Sequence, residues 1–147
     1  MKFLTKNDNS SILSEGLNYD GKPGDRLKLR EKLLAEQKGF CAYSEKYISK
    51  IDSHTIEHFN PILKHTSQDS YYNWYVVITW MNEHKFKKLD SRFLPIASPY
   101  DTTLLSRIIY KDKIFQVVDA NDIEADNLIK FLGVNQSEVC EERDKQV

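Results

Sequence analysis

The sequence predicts a single-domain α+β protein, on three observations. Two short segments, TIEHF and NWYVVITW, are rich in β-branched and aromatic residues, which is typical of strands. A third segment, RIIYKDKIFQVV, predicts a hairpin that turns at residues 111–113. Helical patterns lie on both sides of these strands. With 147 residues, the chain can bury a hydrophobic core without disulfides or a metal ion.

The N-terminal part of the chain predicts a loop followed by a helix. Residues 1–24 are polar and rich in Asn, Ser, Asp and Gly, so we expect an irregular lead-in. Asp25 is a suitable N-cap for the next segment, where leucines recur at helical spacing, and Gly39 ends that helix. The following segments, FCAYS and KYISKI, favour a turn or a small hairpin.

The remaining elements follow in order. TIEHF predicts a strand that leads into a loop over residues 60–72, and NWYVVITW predicts the second strand. A short, charged, helix-capable segment starts at Asn82, and a loop covers residues 93–104. After the hairpin come two helices, the second with Asn135 and Glu138 at the spacing of a capping box. We therefore predict a lead-in over residues 1–24 and one domain over residues 25–147.

Composition limits the partners and the compartment. A formal net charge of −1 gives no argument for a nucleic-acid or membrane partner, so any basic surface must be local. Cys41 and Cys140 form no spaced pair and are expected to be free thiols in a reducing compartment. No apolar signal segment begins the chain, and the longest apolar run, residues 75–81, is too short to span a bilayer. We expect a cytoplasmic protein without a membrane partner.

The densest group of chemically active side chains lies in HTIEHFNP, residues 54–61. The spacing of His54, Glu57 and His58 matches the inverted zinc-peptidase motif, which requires both histidines on one helix. The β-branched residues and Pro61 disfavour a helix here. On a strand, successive side chains alternate, so Glu57 and His58 would face opposite sides unless the strand end is bent.

In four stretches, the chain resembles the HNH nuclease family, in the family's order: CAYS (residues 41–44), EHFNP (57–61), NW (73–74) and ITWMNEHK (78–85). It is also similar to the small HNH proteins of bacterial anti-phage systems of the Septu and retron-associated kind, through LLAEQKGFCAYSE (33–45), IEHFNP (56–61) and FLGVNQSEVCEER (131–143). The resemblance implies a ββα-metal core over about residues 40–92, flanked by an N-terminal helix and by a C-terminal hairpin and two helices.

The resemblance also implies site residues. His58 would be the general base that takes a proton from water, oriented by Asn73. Glu57 and Asn82 would bind a single Mg²⁺ or Mn²⁺ ion, and a helix N-terminus at Asn82 would favour phosphate. Phosphates of nucleic acid would contact the basic residues that follow, which are Lys85, Lys87, Lys88 and Arg92.

Each of these residues also has a simpler explanation. His58 suits a buried histidine bonded to a carbonyl, and Glu57 suits a solvated strand end. Asn82 suits a helix N-cap, Asn73 suits a turn before a strand, and the basic run suits a solvated surface.

The family's structural zinc site is not expected in this chain. Of its four cysteine positions only Cys41 is retained, and the others are Ser44, Ile78 and Met81. A closed zinc site needs four sulfur or nitrogen ligands, which this set does not supply.

The function implied by the resemblance is a metal-dependent endonuclease that hydrolyses phosphodiester bonds, with DNA favoured over RNA. It would be the effector subunit of a bacterial anti-phage system and work beside an ABC-type ATPase. Two alternatives stay open: a catalytically silent HNH-fold binding subunit of such a complex, which the lost cysteines favour, and a zinc peptidase.

Overall fold

The computed structural model describes residues 1–145 as a mixed α+β fold, as predicted. These residues include six α-helices: α1 (Ser11–Ser14), α2 (Asp25–Glu36), α3 (Thr79–His84), α4 (Leu104–Arg107), α5 (Ile123–Leu132) and α6 (Ser137–Asp144). Their strands are β1 (His54–His58), β2 (Trp74–Ile78), β3 (Ile108–Lys111) and β4 (Ile114–Val117), in two antiparallel pairs. Over the same residues, no helix combines the length and the apolar character needed to cross a bilayer.

The first pair, β1 with β2, forms the centre of the domain. Its register places Glu57 opposite Tyr75 and His58 opposite Trp74. Four of the five residues of β2 are buried, and helix α2 packs against this strand. The run of β-branched and aromatic residues therefore forms a strand because both of its faces are covered by the core.

Helix α3 begins earlier than the sequence predicts. Ile78 pairs with His54, the first residue of β1. The Thr79 N–H still donates to the Ser53 carbonyl at 3.0 Å, and Thr79 is already the first residue of the helix. The prediction that a helix begins at Asn82 is therefore wrong, and Asn82 is neither an N-cap nor at the positive end of the helix dipole. The helix also ends at His84, so the basic residues from Lys85 onward lie beyond it.

The predicted hairpin is confirmed as β3 and β4. Asp112 and Lys113 have φ values of +54° and +68°, the left-handed pair that a tight two-residue turn requires. The capping box predicted for the last helix is wrong. The N-cap of α6 is Gln136, while the Asn135 side chain accepts from the Phe115 N–H and donates to its carbonyl, both at 2.8 Å. Asn135 bonds to the open backbone edge of β4 instead of capping α6.

The lead-in is largely irregular, as expected, but it packs against the core. Leu4 and Ile12 are buried, and the Tyr75 hydroxyl donates to the Leu4 carbonyl at 2.9 Å. The Lys6 ammonium lies 4.3 and 4.1 Å from the ring centroids of Tyr71 and Tyr75. Residues 1–24 therefore share one hydrophobic core with the strands.

The lead-in ends at the start of α2, one residue away from the predicted cap. Gly24, with a φ of +89°, is the N-cap, and Asp25 is the first helical residue. A left-handed φ at this position suits glycine, which has no Cβ to clash with the backbone.

Candidate functional site

Alternation along β1 sends Glu57 and His58 to opposite faces of the strand. Glu57 contacts Tyr43 and Lys85, whereas His58 contacts Tyr19 and Asp69. Both residues are buried, with 3% and 5% of their surface exposed. The site therefore consists of two separate polar clusters on either side of one strand.

The strand geometry contradicts the zinc-peptidase motif. His54 and His58 occupy the two ends of β1, so their Cα atoms lie about 13 Å apart at the usual rise of a strand. Two histidines at that separation on a straight strand do not share one metal ion, whereas one helical turn would bring them together. The zinc-peptidase alternative therefore lacks its structural basis.

The first cluster, here called the base cluster, consists of His58, Asp69 and Asn73. His58 Nε2 lies 3.1 Å from Asp69 Oδ2, within ion-pair distance but without hydrogen-bond alignment. The Asn73 amide donates to Asp69 Oδ1 at 2.8 Å, and its oxygen accepts from the Asn60 N–H at 2.8 Å. Asn73 thus holds the loop after β1 and fixes the carboxylate that faces the histidine.

Asp69, like Tyr19 and Tyr43, is a site residue that the sequence did not predict. It is the only acidic residue in the predicted loop over residues 60–72, and its side chain is 5% exposed. The sequence held one usable signal, because a buried histidine needs a hydrogen-bonding partner and this loop offers a single carboxylate.

Burial sets the protonation of the base cluster. It lowers the pKa of His58, the Asp69 carboxylate partly opposes this, and the positive charge of Lys64 lowers the pKa further. Within residues 1–145, neither ring nitrogen of His58 makes an aligned hydrogen bond, and Asp69 Oδ2 lies 3.1 Å from Nε2. A carboxylate beside Nε2 favours the tautomer with its proton on Nε2, which leaves Nδ1 as the proton acceptor.

The second cluster, the Glu57 cluster, is a buried ion pair. Glu57 Oε1 lies 3.0 Å from Lys85 Nζ, and Oε2 accepts a hydrogen bond from the Tyr43 hydroxyl. Lys85 Nζ also donates to the carbonyls of His58 and Phe59, at 3.1 and 2.9 Å. Burial raises the pKa of Glu57 and lowers that of Lys85, while their mutual attraction opposes both shifts.

The expected metal ligands, Glu57 and Asn82, do not fit a divalent ion as they are arranged. Both Glu57 oxygens already accept from donors, and the Lys85 ammonium would repel a second cation at the carboxylate. Bringing an ion to Glu57 therefore requires the carboxylate to release Lys85. Among residues 1–145, no three His, Cys, Asp or Glu side chains gather as a ligand group.

The four basic residues expected to contact phosphate do not form one surface. Lys85 is 3% exposed and bonded to three oxygens, so it is a buried ion-pair partner and not a surface contact. Lys87 and Lys88 are exposed. Arg92 is exposed but paired with Asp90 at 2.9 Å.

The four positions that hold zinc in the family come close together here. Cys41 Sγ accepts from the N–H groups of Ser44 and Ile78, each at 3.5 Å. Ser44, Ile78 and Met81 line one cavity of about 480 Å³. These four side chains do not form a zinc ligand set, because only Cys41 offers a thiol. Apolar packing and the two N–H···S bonds hold the segment around Cys41 instead.

Comparison of the chain with protein families, with curated proteins and with solved structures found no match. The likeness to the HNH family is therefore one of sequence motifs.

Proposed function

We propose that this chain is an HNH-type endonuclease that hydrolyses phosphodiester bonds of nucleic acid, with His58 as the general base. The base cluster carries the proposal, because a buried histidine faces a carboxylate that is itself fixed by Asn73. Two further features support a ββα core of the HNH kind. The elements β1, β2 and α3 follow one another in the family's order. Ser44 and Ile78, at two of the family's other zinc positions, donate their N–H groups to Cys41 Sγ.

In the proposed reaction, His58 Nδ1 accepts a proton from a water molecule as the water oxygen attacks phosphorus. The bond between phosphorus and the leaving sugar oxygen breaks, and that oxygen takes a proton from solvent. Asp69 stabilises the imidazolium that forms, as a carboxylate does beside a catalytic histidine in other hydrolases. Asn73 keeps Asp69 in place through its bond to Oδ1. The proton then leaves His58 for solvent, and the neutral base is restored. We assign no step to Mg²⁺ or Mn²⁺, whose requirement is tested below.

The biological setting is proposed from the resemblance alone. We infer an effector subunit of a cytoplasmic anti-phage system, acting beside an ABC-type ATPase, with DNA as the favoured substrate. The formal charge of −1 agrees with an effector that gains part of its nucleic-acid affinity from a partner.

The first test is a cleavage assay with the purified chain on plasmid DNA and on total RNA. Each reaction is run with Mg²⁺, Mn²⁺, Zn²⁺ or EDTA, with and without the ATPase. We expect His58→Ala to abolish cleavage, because the proton acceptor is lost. His54→Ala is the matched control on the same strand and should cleave like the wild type. Equal cleavage by His58→Ala and the wild type would contradict the proposal.

The silent binding subunit is the second candidate, and one observation favours it. Both functional side chains are enclosed by the protein. The Glu57 carboxylate is bonded to Lys85 and Tyr43, and His58 is 5% exposed, with the Tyr19 ring edge-on at a centroid distance of 4.5 Å. This candidate predicts no cleavage of either nucleic acid under any condition, while the chain still binds its partner. The assay above, combined with size-exclusion chromatography of the complex, separates the two candidates.

A further inference from the structure

We propose that nucleic-acid phosphates bind a basic groove around Tyr19, and not the basic run that follows α3. The Tyr19 groove consists of Tyr19 with Lys22, Arg26, Arg30 and Lys64. This inference deepens the proposed function, since it assigns the substrate path to the same site. Its binding test is nevertheless independent of cleavage.

The groove is formed by two neighbouring cavities that share Tyr19 and Arg26. One, of about 300 Å³, lies between α2 and the start of β1 and is also lined by Arg30. The other, of about 370 Å³, is lined by residues 19–24 and Arg26. Tyr19 and Arg26 therefore stand in the middle of a continuous open surface.

The charges in this groove are mostly uncompensated. The Arg26 guanidinium lies 4.0 Å and the Lys64 ammonium 5.5 Å from the Tyr19 ring centroid. Arg26 is paired with Asp20 at 3.1 Å. Within the part of the chain that the structure describes, Lys22, Arg30 and Lys64 have no carboxylate within ion-pair distance. Lys64 at the Tyr19 ring, together with Arg30 and Lys22 in the lining of the two cavities, gives three unpaired cations, which suits a polyanion.

The groove also lies on the correct side of β1. Tyr19 stands edge-on to His58, with the ring centroids 4.5 Å apart, whereas Lys85 lies with Glu57 on the opposite side. The charge of Lys64 acts on His58, and that of Lys87 acts on Glu57. A phosphodiester that approaches the proposed base therefore meets the groove cations.

These positions select a nucleic-acid backbone over an acidic protein segment. A backbone phosphate bound between Lys64 and Arg26 would lie beside the Tyr19 ring, next to the histidine that the proposed reaction uses. An acidic peptide would satisfy the same charges but would place no phosphorus near His58. We treat binding of such a peptide as an outcome of the test.

The test measures binding of a short fluorescein-labelled DNA duplex, and of an RNA of the same sequence, by fluorescence polarisation over a range of NaCl concentrations. EDTA is present to prevent metal-dependent cleavage. The groove variant is Arg30→Gln with Lys64→Gln. A charge-matched control is Lys50→Gln with Lys111→Gln, two exposed lysines outside the groove. A third variant, Lys87→Gln with Lys88→Gln, removes cations of the run after α3.

We expect the groove variant alone to bind more weakly. The slope of log affinity against log salt should fall by about 0.9 for each phosphate that the protein no longer neutralises. Circular dichroism and thermal unfolding should match the wild type, because the altered groups have no carboxylate partner to lose. Wild-type binding by the groove variant, weaker binding confined to the Lys87 and Lys88 variant, or binding of a poly-glutamate peptide in place of nucleic acid would each overturn the inference.

The two proposals fail in different ways. Groove-dependent binding without cleavage under any condition would retain the groove and reject the nuclease. Cleavage that needs His58 but is unchanged in the groove variant would retain the nuclease and reject the groove.

Discussion

Among single residues, Glu57 and Lys85 form an ion pair whose burial disfavours the charge of each partner. Both charged groups are almost fully buried, and each is compensated by the other and by neighbouring donors or acceptors. A buried pair of this kind adds little net stability over an apolar pair, but removal of one partner leaves an unpaired charge.

We predict that Lys85→Met lowers the free energy of unfolding by about 3–5 kcal/mol, the usual cost of breaking a buried ion pair. Urea denaturation provides the measurement. Lys87→Met, which removes an exposed lysine, should stay near the wild type. Glu57→Gln combined with Lys85→Met should regain part of the loss, because no unpaired charge remains. If Lys85→Met and Lys87→Met had the same free energy of unfolding, the ion pair between Glu57 and Lys85 would not be buried in solution.

Asp69 offers a second prediction at this scale. Asp69→Asn removes the charge beside His58 with little change of shape, so the preferred tautomer and the stabilisation of the imidazolium should both be lost. We expect cleavage to fall by about 10²–10⁴-fold, the usual contribution of general base catalysis. The ¹⁵N shifts of the His58 ring should change from a single tautomer to a mixture. Asp112→Asn, in an exposed turn, is the control; unchanged ring shifts in Asp69→Asn would refute the orienting role.

Lys6 predicts a dependence of stability on pH. Burial lowers the pKa of Lys6 to about 7 from 10.5, with a smaller opposing effect of Glu36. Between these values the unfolded chain binds more protons than the folded one, so stability rises with pH across this window and is lost as pH falls from 10.5 to 7. We expect Lys6→Met to flatten that rise in urea denaturation. The same slope in both proteins would contradict the lowered pKa.

At the scale of elements, the junction between α5 and α6 is joined to the hairpin by one side chain. Asn135 makes two hydrogen bonds to the backbone of Phe115, on the edge of β4 that faces away from β3. We predict that Asn135→Ala lowers the free energy of unfolding by about 1–3 kcal/mol, because a buried donor and acceptor lose their partners. Glu138→Ala tests the capping box and should be nearly neutral. A larger loss in Glu138→Ala, measured by urea denaturation, would restore the capping prediction.

Elements whose signal is local were predicted well. The β-branched runs gave β1, β2 and the hairpin, because strand preference is expressed within a few residues. The start of α3 was not predictable in the same way, since it lies where the pairing of β1 with β2 ends. Asn135 was misassigned for the same reason: its partner lies 20 residues away in the chain.

At the scale of the whole molecule, the site residues also divide into those predicted from local sequence and those set by distant contacts. His58 and Asn73 were predicted from motif spacing, and the fold places them in one cluster through Asp69. The burial of Lys85 could not be predicted from the basic residues that follow it in the sequence, because its three oxygen partners lie 26–28 residues away. Tyr19 comes from a lead-in with no strong pattern, yet it lies against the proposed base.

Lys85 is bonded to the main chain of the very residue that is proposed to take the proton. Its ammonium holds the carbonyl oxygens of His58 and Phe59, so the position of the imidazole depends on a side chain just beyond the end of α3. Natural variation at position 85 would therefore alter the folding of the domain and the position of the proposed base together. In the proposed nuclease, exchange of this internal cation would therefore displace the base.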